Sequence, residues 1–386
     1  MKWLRYMMVF VPVAFLLEFV PALKNDILLF ACCCLGLVPL AGYLGEATEE
    51  LSVHTGPRIG GLLNATLGNA AELIITIVAL QAGKFELVKA SVTGSILGNL
   101  LLILGASMFF GGLKNGIQRF DRRTTGVNSS MMTLAVIGLT IPTLFEVLRQ
   151  VSARELNVFS TEANDVALNG LSLGVAGILM LLYVLSLIFA FQQPDLAVSA
   201  PVGVDDHGEG EAIPHKAKWS VPVASGVLGA STLAIVFLSE FLVGAVEPTV
   251  KALGMSEFFV GIIIIPLVGN VAEHIVGVQM AVKNKMDLSL AISMGSSTQV
   301  ALFVAPLLVF VSLLVAPAEM TLFFSILEVA ALTLSVLIAT IISSDGESNW
   351  LEGAQLLAVY VIVALGFFFL SPDSGEAARE LLFGAG

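Results

Sequence analysis

The sequence predicts an all-α polytopic membrane protein, and three observations carry that prediction. Of the 386 residues, 57% are hydrophobic and only 12% charged, about half the ~25% charge of a soluble domain. The apolar residues gather into runs of roughly 20, the length that crosses a hydrocarbon core as a helix. Finally, Gly68-Asn69-Ala70-Ala71-Glu72 returns 201 positions later as Gly269-Asn270-Val271-Ala272-Glu273.

Punctuated by Gly, Pro, Asn and charge, as at Lys24-Asn25-Asp26, the runs place eleven transmembrane helices. They span 3–22, 27–53, 57–82, 86–112, 126–148, 163–192, 218–252, 257–282, 287–315, 321–343 and 351–371. Several exceed a perpendicular span, so tilt is expected. The first follows Lys2 and Arg5 like a signal peptide, but Glu18 interrupts it and no small-residue cleavage site follows, so it reads as a retained helix within 1–25. In the second, Cys32-Cys33-Cys34 has neither zinc-site nor disulfide spacing and reads as helix packing.

The remaining helices form two five-helix repeats, 26–193 and 217–386. Their register holds without a gap: Gly60 pairs with Gly261, Lys84 with Lys285, Glu86 with Asp287, and Gly94-Ser95 with Gly295-Ser296. An odd number of helices per repeat makes the second copy enter the membrane from the opposite side, the inverted arrangement of many secondary transporters. The connection at 194–216 holds Asp205-Asp206-His207-Gly208-Glu209-Gly210-Glu211 and reads as a solvated acidic linker. Its spacing fits no EF-hand. Loop lysines and arginines favour the side that holds the N-terminus and this linker, which makes that side cytoplasmic. The net charge of −12, with no large basic patch, excludes a nucleic-acid role.

The chemistry gathers on four helices. On 57–82, Gly60, Asn64, Gly68, Glu72 and Thr76 recur every fourth residue, and Gly261, Gly269, Glu273 and Gly277 repeat that face on 257–282. Small residues let helices approach closely in lipid, and an intramembrane carboxylate is a functional-site hypothesis by default. The next helix of each repeat adds Ser91, Ser95 and Asn99, or Ser289, Ser293, Ser296, Ser297 and Gln299. Lone hydroxyls in membrane helices commonly bond their own carbonyls; the amides beside them argue for a lined site.

Glu72, Glu273, Asn69, Asn270, Asn99 and Gln299 supply oxygen and no thiolate, the donor set of a hard cation such as Ca²⁺. Two carboxylates neutralise one divalent ion. Without it they repel each other, and a low dielectric favours their protonated forms. The pair can therefore hold Ca²⁺ or protons, and that mutual exclusion is the physical basis of exchange.

These motifs, with Ala47-Thr48-Glu49-Glu50 and Asp345-Gly346-Glu347-Ser348-Asn349-Trp350-Leu351-Glu352-Gly353, resemble the calcium/proton exchangers of the calcium/cation antiporter superfamily, from about residue 26 to 371. The resemblance implies that Glu72 and Glu273 are the essential cation ligands and that Ser95, Asn99, Ser296 and Gln299 line the cavity. It also implies an N-terminal helix followed by two inverted five-helix repeats. His274 matches the second motif; proton relay and structural hydrogen bonding both stay open for it. Glu49, Glu50 and Glu240 are candidates for a proton or cation access path, against a reading as solvated helix ends.

The expected substrates are Ca²⁺ and H⁺, the solvent is a bilayer, and no cofactor is expected. In a prokaryote the membrane is the plasma membrane. A sodium/calcium exchanger is the nearest alternative, but Ala71 and Ala272 precede the glutamates where those relatives carry proline. An intramembrane metalloenzyme has only Glu273-His274 in its favour and lacks HExxH. Buried titratable ligands in symmetric repeats suit alternating access better than a passive pore, and no P-loop suggests a primary pump.

Overall fold

The computed structural model describes residues 2–55, 57–153, 166–192 and 217–370. The expected acidic linker at 194–216 lies outside them. The described residues are helical almost throughout: α1 (Lys2–Met7), α2 (Phe10–Phe19), α3 (Asp26–Thr55), α4 (Pro57–Leu67), α5 (Ala70–Gln81), α6 (Phe85–Leu97), α7 (Leu104–Asn115), α8 (Arg122–Ala153) and α9 (Val166–Gln192). The second half adds α10 (Val221–Leu253), α11 (Glu257–Phe259), α12 (Ile265–Val282), α13 (Met286–Gln299), α14 (Ala305–Val315), α15 (Ile326–Ile342) and α16 (Trp350–Phe368). The strands β1 (Gln118–Arg119) and β2 (Glu347–Ser348) pair antiparallel.

Among the described residues, eight helical runs are long and apolar enough to cross a membrane. They are α3, α6 with α7, α8, α9, α10, α11 with α12, α13 with α14, and α16. Three of the eleven expected runs depart from a single spanning helix. The first is split at Met8-Val9 into α1 and α2. The run expected over 57–82 breaks at Gly68-Asn69, between α4 and α5. The run expected to start at 321 becomes helical only at Ile326, because Ser325 and Glu328 close a reciprocal capping box there.

Residues 320–325 are non-helical yet buried. Irregular backbone at membrane depth persists only where protein satisfies its polar groups. Here the amides of Met320, Leu322 and Phe324 donate to the hydroxyls of Ser312 on α14, Ser172 on α9 and Thr143 on α8, at 2.9, 3.0 and 2.9 Å.

The centre is built from α5, α6, α12 and α13, which pack on one another. The long pair α3 and α10 runs alongside them, with α2 against both. Phe15 and Phe19 of α2 stack edge-on against Phe241 of α10. The run of α6 and α7 is the most buried of the eight spans and α9 the least. Outward-facing Ile, Leu, Val and Phe on α8, α9, α15 and α16 form an apolar perimeter suited to lipid. Cys32, Cys33 and Cys34 are buried and unbridged, as helix packing predicts.

Cross-links between the halves close both ends. At one end Gln118 donates to the Ala281 carbonyl at 2.8 Å, the Asp121 amide donates to Asp287 at 2.7 Å, and Arg119 pairs with Glu347 at 3.0 Å. At another, Lys84 pairs with Glu247 at 3.1 Å.

Candidate functional site

The break at Gly68-Asn69 places Asn69 at the cap of α5 and Glu72 in its first turn, where the helix dipole favours negative charge. The second copy has no such break: α12 runs straight through Gly269-Asn270. Its irregularity comes earlier, as a π-helical turn at Val260–Ile264. Two more π-helical turns, Gly98–Ile103 and Val300–Val304, follow Ser95 and Ser296 at matching places of the two repeats. Such turns recur at functional sites. Helix α6 meets the first of these three turns at backbone contact: a Cβ on Gly94 would collide with the Ile262 carbonyl. Glycine at that position sets the distance between Ser95 and the α12 motif.

The side chains converge between these helices. Glu72 Oε1 accepts from Ser95 Oγ at 2.6 Å and from Asn270 Nδ2. Asn69 Nδ2 donates to Gln299 Oε1 at 2.8 Å, and Asn99 Nδ2 donates to Ser296 Oγ at 3.0 Å. Ser296 Oγ reaches Asn69 Oδ1 at 3.5 Å and also borders the Glu273 carboxylate. Glu72 and Glu273 are close enough to repel each other when both are charged. On the facing helix, a Cβ on Gly269 would lie 3.2 Å from Glu72 Cγ, tighter than ordinary packing, so any larger residue there would press on the Glu72 side chain.

Glu72 Oε2, Glu273 Oε2 and Asn99 Oδ1 are buried oxygens with no hydrogen-bond donor among the described residues. Orphaned acceptors are rare in folded proteins. Three of them on this polar cluster, two from carboxylates, make an oxygen-rich, anionic donor set of the kind a hard cation takes.

All eight oxygen-bearing residues expected to bind the cation (Glu72, Glu273, Asn69, Asn270, Asn99, Gln299, Ser95 and Ser296) thus belong to this cluster. Their neighbours do not. Ser293, Ser297 and Thr298 bond carbonyls of their own helix. His274 lies one residue beyond Glu273, with Nε2 unpartnered. The three access-path candidates lie outside the hydrogen-bonded cluster. Glu50 is buried and accepts from the amides of Lys218 and Trp219 at 2.7 and 3.0 Å, fastening the start of α10 to the end of α3. Glu49 is half-buried and Glu240 exposed on α10.

Sequence reasoning missed a second buried polar group. Glu328, fully buried, accepts from Thr93 Oγ1 at 3.1 Å and from the Ser325 amide at 2.8 Å. Lys89, also buried, pairs with Glu86 at 2.9 Å on the same stretch of α6. The Ser325-x-x-Glu328 spacing was the available signal for the first of these.

The sodium/calcium exchanger protein family matches residues 25–192 and 223–369. A Ca²⁺/H⁺ antiporter of Synechocystis is 42% identical over 371 residues, covering 94% of this chain and 96% of that protein. The Ca²⁺/H⁺ antiporter ChaA of Bacillus subtilis is 44% identical over 349 residues, covering 89% of this chain and 92% of that protein. The solved structure of native YfkE superposes with a TM-score of 0.76 at 40% identity, covering 94% of this chain and all of that one. The duplicated motif, the helical fold and these matches through both halves lead to one conclusion: the chain belongs to the sodium/calcium exchanger protein family.

Proposed function

We propose that this protein is a secondary active antiporter that exchanges Ca²⁺ for H⁺ across a membrane by alternating access. The observation that carries the reading is the convergence of two carboxylates, Glu72 and Glu273, on one buried cluster of amides and hydroxyls. Similarity to the Ca²⁺/H⁺ antiporters of Synechocystis and Bacillus subtilis, over nearly the whole length of each, supports it. The relatives are transporters, and the protein is not an enzyme.

In this reading Glu72 and Glu273 bind Ca²⁺ or protons, never both sets at full occupancy. Asn69, Asn270, Asn99, Gln299, Ser95 and Ser296 complete or orient the oxygen shell. An empty, doubly charged site is costly to carry across a membrane interior, so the site reorients only when loaded. His274 is a proton-relay candidate, and Glu49, Glu50 and Glu240 mark a candidate access path.

The same reading organises the chain as an N-terminal helix (1–25), a first five-helix repeat (26–193), an acidic linker (194–216) and a second, inverted repeat (217–386). Together these are eleven membrane-crossing units, of which α4 with α5 is a broken one. The protein is a multi-pass membrane protein, in a prokaryote of the plasma membrane.

The test is Ca²⁺ flux in proteoliposomes. An imposed pH gradient without Na⁺ should drive Ca²⁺ uptake, with protons moving the other way. Uptake that responds only to a Na⁺ gradient would establish sodium coupling instead.

A further inference from the structure

We propose that the groove between the N-terminal half of α8 and the C-terminal end of α15 binds an anionic phospholipid, with its phosphate on Arg122 and one acyl chain along α8. The groove has a volume of about 510 Å³, walled by α8 from Arg122 to Ile137 and by Thr340, Ser343 and Ser344 at the end of α15. It is remote from Glu72 and Glu273 in the chain and shares no residue with their cluster.

Two donors are available at its polar end. Arg122 is exposed and has no carboxylate partner among the described residues. Its stem lies across Gly346: a Cβ there would meet Arg122 Cγ, and the φ of +80° is one that favours glycine. The Asp345-Gly346 turn thereby leaves room for the aliphatic stem of Arg122. Ser343 is 2% exposed, and its Oγ has no hydrogen-bond partner although it lines the groove. By contrast Ser130, Thr133 and Ser344 already donate to carbonyls of their own helices.

Of the nearby carboxylates, Glu347 is ion-paired and Asp121 and Asp345 are turned to neutral donors of their own turns. Asp121 accepts from the Thr124 hydroxyl and from the amides of Arg123 and Thr124, and Glu347 pairs with Arg119. Asp345 accepts from the Glu347 amide. Arg122 and the unpartnered Ser343 line the same groove from its two walls, and arginine is the preferred partner of a phosphodiester.

Polarity along the groove selects the occupant. Leu134 and Ile137, both exposed, follow the hydroxyl-bearing turns. From Arg122 to Ile137 the helix rises roughly 22 Å at ~1.5 Å per residue, compared with ~15 Å for one leaflet of a ~30 Å hydrocarbon core. A cation at the interface and an apolar wall at acyl depth match an amphiphile lying along the membrane normal. A free phosphate would use only the first turns.

The experiment is native mass spectrometry of the full chain released from nanodiscs of phosphatidylcholine with a minor share of phosphatidylglycerol. The wild type should retain phosphatidylglycerol preferentially. Arg122→Gln should reduce that enrichment by at least about tenfold, the lower end of the scale for a hydrogen bond to a charged group, and Ser343→Ala by a smaller factor. Each variant is first shown to be monodisperse, and the two substitutions on opposite walls keep the test open if one misfolds. Equal retention of the two lipids, or enrichment unchanged in both variants, overturns the proposal. So does displacement of the bound lipid by inorganic phosphate, which would identify a free-anion site. A second copy of the chain filling the groove after lipid is stripped would overturn it as well.

Discussion

Glu72 and Glu273 hold equivalent places in the duplication but have different surroundings. Glu72 is buried and held by Ser95 and Asn270, whereas Glu273 is half-buried beside Ser296. Asn69, the counterpart of Asn270, turns to Gln299 rather than to Glu273. Such asymmetry is expected of one conformation of an alternating-access site, in which the two halves exchange roles. Glu72→Gln and Glu273→Gln should each abolish proton-driven Ca²⁺ transport while leaving the fold intact, because glutamine keeps the volume but cannot supply charge or a proton. Undiminished transport in either variant, measured by flux in proteoliposomes, would refute the paired-carboxylate site. Asn99→Ala or Gln299→Ala should weaken apparent Ca²⁺ affinity by about fivefold, the scale of one hydrogen bond, without removing competition by protons; binding isotherms at several pH values read both effects. The carboxylates were legible in the sequence because the motif repeats. The Asn69–Gln299 bond was not, because the repeat register sets Gln299 opposite Gly98, so that symmetry gives no hint of the pairing.

At the scale of elements, the apolar runs located the helices but not their interruptions. Leu322, Phe323 and Phe324 are as apolar as any helix residue, so hydropathy extended α15 backward across them. What ends the helix at Ile326 is a capping box, and what keeps the extended segment buried is a set of hydroxyls from three other helices. The cap could be read from sequence; the hydroxyls belong to tertiary structure. Ser325→Ala should therefore lower stability by about 1 kcal/mol, measured as a fall in thermal midpoint in detergent. The break between α4 and α5 was hidden for a related reason: Gly68 fits a four-residue helical stripe, yet Gly68 and Asn69 form the turn that puts Glu72 near a helix start. Gly94 gives a sharper test. An added methyl meets the Ile262 carbonyl, which is backbone and cannot swing aside. Gly94→Ala should therefore separate α6 from the Val260–Ile264 turn and reduce both thermal stability and exchange. A wild-type midpoint with normal flux would show that this contact does not set the site.

For the whole molecule, the inverted-repeat reading and the loop charges predict that residues 2–5, 194–216 and 283–285 share one side, the cytoplasmic one. Single cysteines introduced into a background without Cys32, Cys33 and Cys34 should be labelled by an impermeant thiol reagent from that side only. Labelling of 194–216 and 284 from opposite sides would break the inverted-repeat arrangement. Within that arrangement the central claim is that Ca²⁺ and protons share one pair of carboxylates. Two carboxylates that bind protons in place of Ca²⁺ must release them when Ca²⁺ enters, so lowering the pH must weaken apparent Ca²⁺ affinity rather than the maximal rate at saturating Ca²⁺. The direct measurement is isothermal calorimetry of Ca²⁺ binding to the purified protein, over a pH series and in buffers of different ionisation enthalpy. The account predicts proton release on binding, affinity that falls as the pH falls, and loss of the proton signal in Glu72→Gln and Glu273→Gln. Binding that is independent of pH and releases no protons would contradict it.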